Sequence, residues 1–128
     1  PNIKPMKVFL LLTFMMAATL SHAQNREVGQ LPAGVYEVQK GKAETAFSGD
    51  IVLLNDNQYK LRNNNELGEY KFSVTAQRVL FISGPLKGIF AKTVINAGAP
   101  AIVLPKKENE ALGYRLAEAD VWAFYKRQ

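Results

Sequence analysis

"GEYKFSVTAQRVLFISGPLKG", residues Gly68 to Gly88, decides the fold. Tyr70, Phe72 and Val74 alternate with Glu69, Lys71 and Ser73. Successive side chains of a strand point to opposite faces, so this alternation is that of a half-buried strand. A break follows, then a second apolar run through Val79 and Phe81, then Ser83-Gly84-Pro85. The stretch spells strand, tight turn, strand and reversal.

The same period of two recurs on either side. Tyr36 and Val38 alternate with Glu37 and Gln39, Tyr59 and Leu61 with Lys60 and Arg62, and Tyr114 and Leu116 alternate in "GYRLAE". Other runs are apolar on both faces: "IVLLN" (51–55), "RVLFIS" (78–83), "AIVLP" (101–105) and "VWAFY" (121–125). They fit strands covered on both sides, or strands whose outer face is partly shielded. Asn, Gly and Pro punctuate the runs at 55–57, 63–68, 83–88 and 96–100, where a chain reverses and cannot continue a ladder. Two longer polar connections, 41–50 and 106–112, remain, and the second has room for a helical turn.

This predicts about eight strands, near 34–40, 48–54, 58–62, 68–74, 78–83, 88–96, 101–105 and 113–126. The last is bent or split at Ala119-Asp120, and Leu112, Leu116, Ala119 and Trp122 also suit helical spacing there. Short strands with short turns pair in sequence order, and a long meander exposes its edges unless it closes. The expected fold is an all-β, antiparallel up-and-down meander, either a closed barrel or a two-sheet sandwich.

In front of it, Lys7 precedes thirteen residues without a charge and then "SHAQ", with Ser21 and Ala23 at the positions expected of a cleavage site. That is the pattern of a secretory signal peptide, and it is shorter than the roughly 20 apolar residues a spanning helix needs. Residues 1–23 are therefore expected to be upstream residues plus leader. Residues 24–128 are expected to be one exported β domain, periplasmic or secreted, with no stable membrane span after cleavage.

Composition then narrows the chemistry. There is no cysteine, and the single histidine, His22, falls within the leader. A domain from residue 24 onward lacks Ser-His and Cys-His pairs, histidine bases and the usual zinc ligands. It folds without disulfides and relies on its apolar core. Without Lys4 and Lys7, 14 basic residues face 11 acidic ones. That mild excess has no dense basic run, so no nucleic-acid partner is expected. Ser48, Ser73 and Ser83 have no base beside them, and Ser83 suits stabilisation of its own turn. The acids Glu37, Asp50, Asp56, Glu66, Glu69 and Asp120 sit at turns or on the wet side of strands. A carboxylate-pair hydrolase using Glu37, Asp50 and Asp120 is the remaining enzymatic possibility. No catalytic residue, metal ligand or cofactor is expected.

Gly68, Tyr70, Phe81, Ser83, Gly84, Pro85 and Gly88 carry a resemblance. The stretch resembles a loose group of small exported bacterial β proteins with G-x-Y strands and an F-x-SGP-x-x-G turn. More distantly, the layout is similar to lipocalin-type and avidin-type barrels, which implies a small apolar ligand in the barrel mouth. The lipocalin Gly-x-Trp entrance is replaced here by Gly34-Val35-Tyr36.

What remains is aromatic. Tyr36, Tyr59, Tyr70, Phe72, Phe81, Phe90, Trp122 and Phe124 are the candidate ligand-binding residues. A buried tyrosine hydroxyl needs a partner, so inward tyrosines either line a cavity or direct their hydroxyls to the rims of a packed barrel. Two functions follow for a non-enzymatic domain. One is binding a small apolar or aromatic ligand. The alternative is a protein-interaction or cell-envelope module.

Overall fold

The computed structural model describes residues 27–39 and 49–127. The leader read at 1–23 and most of the 41–50 connection lie outside them. Eight strands follow in chain order: β1 (Gly34–Val38), β2 (Ile51–Leu53), β3 (Gln58–Leu61), β4 (Gly68–Ser73), β5 (Arg78–Phe81), β6 (Phe90–Asn96), β7 (Ala99–Leu104) and β8 (Val121–Tyr125). One short helix, α1 (Lys106–Ala111), interrupts them between β7 and β8.

Each strand pairs antiparallel with the next, and β8 pairs with β1. The sheet is a closed barrel. Closure decides between the two expected architectures, because a barrel alone leaves no strand edge exposed.

The alternation read from sequence becomes the two faces of the wall. Tyr36 stands opposite Ile51, which stands opposite Leu61. Leu53, Tyr59 and Gly68 form a second inward row, and Phe72, Val79 and Ala91 a third. Thr93, Ile102 and Ala123 continue around, and Tyr125 meets Tyr36 where the wall closes, with ring centroids 5.2 Å apart.

Gly68 has to be glycine. A Cβ there would fall 2.5 Å from Cε1 of Tyr59, and would also strike the Ser83 carbonyl oxygen. The missing side chain lets the Tyr59 ring lie over β4 and reach the 83–88 reversal. Gly84, at φ +86°, packs back against Gly68 from the other side. The sequence expectation for Ser83 needs correcting here. Its Oγ accepts the Glu69 N–H at 3.0 Å, across to β4, so it ties the reversal to the neighbouring strand.

Residues 113–120 also differ from the expected eighth strand, which begins only at Val121. Gly113, at φ +93°, follows the last turn of α1, and the Asp120 carboxylate accepts the Lys106 N–H at 2.8 Å. Those contacts hold the two ends of an excursion together, so 106–120 lies over the barrel end instead of extending the wall. Leu116 is buried and Ala117 packs against the core, while Tyr114 stays exposed. The alternation in "GYRLAE" therefore reports one-sided burial of a loop.

Among the described residues, buried side chains lie across both ends of the barrel. At one end, Val28 and Leu31 are buried, and the Gln77 side chain clasps Val28 by accepting its N–H (2.8 Å) and donating to its carbonyl (2.9 Å). At the other end lie Leu86, Ile89, Leu116 and the fully buried Asn109. Asn109 accepts the Phe90 N–H (2.7 Å) and donates to the Phe90 and Pro105 carbonyls (2.9 and 2.8 Å). It acts as a one-residue strand partner for the start of β6.

Two substitutions test these devices. Gly68→Ala should cost about 1–3 kcal/mol through overpacking, lowering Tm by about 4–8 °C per kcal/mol in thermal unfolding. Asn109→Ala should cost about 1–3 kcal/mol for each main-chain group left without a partner. It should also speed amide exchange at Phe90 selectively, a change Gly68→Ala does not produce.

Candidate functional site

The eight aromatic candidates do not converge on one place. Tyr36, Tyr59, Tyr70 and Phe81 are buried inside the barrel, and Phe72 packs partly buried against the same core. Phe90, Trp122 and Phe124 face outward, because their neighbours Ala91, Val121 and Ala123 face the core and alternation sends them the other way. Five line the interior and three decorate the outer wall.

Inside, the tyrosine hydroxyls are occupied. Tyr36 donates to the Pro32 carbonyl at 2.8 Å, and Tyr70 to the Asn55 carbonyl at 2.6 Å. Tyr59 donates to the Ser83 carbonyl at 2.7 Å and accepts the Leu86 N–H at 2.9 Å. Among the described residues, no buried side-chain nitrogen or oxygen lacks a hydrogen-bond partner. The rings fill the interior; Tyr59 sits 4.8 Å from Phe81 and edge-on to Tyr70. Each ring packs mid-barrel while its hydroxyl bonds main chain at the barrel ends.

Burial raises all three phenol pKa values. Tyr36 is pushed up by desolvation, reinforced by Tyr125 and Tyr70. Desolvation pushes Tyr59 up to about 12, opposed by the hydrogen bond from Leu86 and aided by Glu66. Tyr70 is raised by desolvation and by Asp56.

The three acids of the hydrolase reading, Glu37, Asp50 and Asp120, each bond a base or the main chain. Glu37 pairs with Lys126 at 2.9 Å. Asp50 pairs with Arg62 at 3.2 Å and accepts the Val38 N–H at 3.0 Å. Asp120 accepts the Lys106 N–H. Glu37 and Asp50 do share an open groove of about 660 Å³, lined also by Val38, Gln39, Arg62, Phe124, Tyr125 and Lys126. Within it each acid is neutralised by its own base, so the groove holds two closed ion pairs. On the far side of Phe124 a second hollow, about 380 Å³, is lined by Asn96, Ala97, Ala99, Pro100, Tyr125 and Arg127. No group of three or more Asp, Glu, His or Cys able to hold a metal ion occurs among the described residues.

The outer wall carries the unusual feature. Trp122 and Phe124 stack, with centroids 5.8 Å apart and planes 20° apart. Their Cα partners on β7, Val103 and Ala101, are buried although they also face outward, and lie outside the core cluster. The two rings stand directly opposite them on the neighbouring strand. Phe90 lies beneath the Arg78 guanidinium, 5.0 Å from the ring centroid, and pairs across the strands with Leu80, which is 57% exposed. Leu80 with Phe90 and Trp122 with Phe124 thus form two apolar groups on the outer wall, with Lys92 lying between them. No fold or motif signal marks them.

Searches against family models, curated proteins and solved structures each return no match.

The raised phenols set a pH dependence. In the unfolded chain tyrosine ionises near pH 10, and the buried phenols ionise higher. Above pH 10 the folded state thus holds more protons than the unfolded one, so stability falls as pH rises. Stability should change little from these groups below pH 10. It should then drop between pH 10 and pH 12 by up to about 1.4 kcal/mol per pH unit for each phenol still protonated. Denaturant melts across that range measure it, and Tyr59→Phe should shallow the slope.

Proposed function

We propose that this chain is a non-enzymatic, exported β-barrel module that acts through its outer wall, as an interaction or cell-envelope domain. One observation carries the reading. The inward tyrosines direct their hydroxyls to the main chain at the barrel ends, while the Trp122–Phe124 stack, Phe90 and Leu80 face outward. A barrel that held a small ligand would keep convergent polar groups aimed into an interior space. Here those groups are spent on closure. Apolar side chains grouped on the outside of a small domain mark contact with a partner surface. Export rests on the leader-like segment before residue 24, and the non-enzymatic reading on carboxylates engaged with bases or main chain.

Site-specific photo-crosslinking in the producing cell tests this reading. A photoreactive residue at position 80 or 122 should give adducts, whether to protein or lipid, several-fold more abundantly than one at Lys60 on β3. Equal labelling at all three positions would overturn it. A Trp122 fluorescence titration that saturated with a small apolar compound, unchanged by Leu80→Ser, would favour an interior ligand instead.

A further inference from the structure

On strands β5 and β6, which carry no acid, Arg78 and Lys92 are direct Cα partners. By register both face outward, in the same row as Val103 and Trp122. Like charges placed opposite one another destabilise a sheet, and among the described residues neither forms an ion pair. Leu80 and Phe90 form the adjacent row on the same two strands, while Trp122 stands two strands from Lys92 along its own row, next to Phe124. Two cations without acidic partners, beside exposed Leu80 and half-buried outward aromatic rings, complement a surface that is anionic outside and apolar just beneath.

Resting on the outer-wall reading above, we propose that the β5–β8 face docks onto an anionic lipid bilayer. Arg78 and Lys92 meet the headgroup charge, and Leu80, Phe90 and Trp122 enter the boundary layer. Aromatic side chains favour that depth, and each basic residue near an anionic leaflet adds about 1 kcal/mol. Contact is peripheral. The strands are three to seven residues long, against the roughly 9–11 needed to cross a bilayer, and the most apolar side of the wall faces inward.

The test is co-sedimentation of the protein, isolated from a secreting host with its N-terminus established by mass spectrometry, with vesicles of phosphatidylglycerol or of phosphatidylcholine. Binding should occur with phosphatidylglycerol, weaken as salt is raised, and be at least tenfold weaker with phosphatidylcholine. Emission from Trp122, the only tryptophan, should shift to the blue on binding. Arg78→Gln with Lys92→Gln should weaken partition about 30-fold, while the charge-matched pair Lys60→Gln with Lys107→Gln leaves it within twofold. Equal binding to both lipids would overturn the proposal. So would equal loss in both double variants, or binding to soluble polyglutamate without binding to vesicles. Position-dependent crosslinking to protein alone would leave the outer-wall reading standing while the lipid proposal falls.

Discussion

Closure of β8 onto β1 is the constraint from which the rest of this molecule follows. Once the wall joins, every inward position faces a space that eight strands leave just wide enough for side chains. Large rings fill that space economically, and tyrosine has one property phenylalanine lacks: its hydroxyl needs a partner. The interior offers none. Tyr36, Tyr59 and Tyr70 therefore lie lengthwise and bond main-chain groups at Pro32, Asn55, Ser83 and Leu86. The same demand accounts for Gly68 and Gly84, whose missing side chains make the lane for Tyr59.

Most of the wall was legible from sequence because period-two alternation is a local signal that survives any tertiary context. "GEYKFS" and "QYKL" became β4 and β3 with the anticipated sides inward. The alternation misled in "GYRLAE", where Leu116 is buried by a loop that Asp120 and Gly113 fold back over the barrel end, and at Val74, which is exposed just past the end of β4. No periodicity distinguishes a residue covered by a strand's neighbour from one covered by its own loop. The resemblance-bearing residues Gly68, Ser83 and Gly84 turn out to be joinery between β4 and the 83–88 reversal, while Tyr70 bonds the Asn55 carbonyl.

The polar fasteners were illegible. Asn109 and Gln77 look like ordinary solvated residues in "KENEA" and "TAQRV", yet one supplies a missing strand partner and the other clasps Val28 at the barrel end. Their roles depend on which main-chain groups the fold leaves without partners, which only the assembled barrel defines. The aromatic residues were recognised, but their two destinations were not. Register against β6 and β7 sends Phe90, Trp122 and Phe124 outside. The meeting of Arg78 with Lys92 exists only once register pairs β5 with β6.

Joining the first strand to the last also governs how the molecule can form. Five of the seven consecutive strand pairings, from β2–β3 to β6–β7, span short connections and can assemble locally, but the seam between Tyr36 and Tyr125 brings together residues 89 positions apart. Such distant pairing is slow. A nascent chain that has not yet produced Val121 has two raw margins and no way to shut them. The step that locks the shape therefore waits until β8 is available to pair with β1.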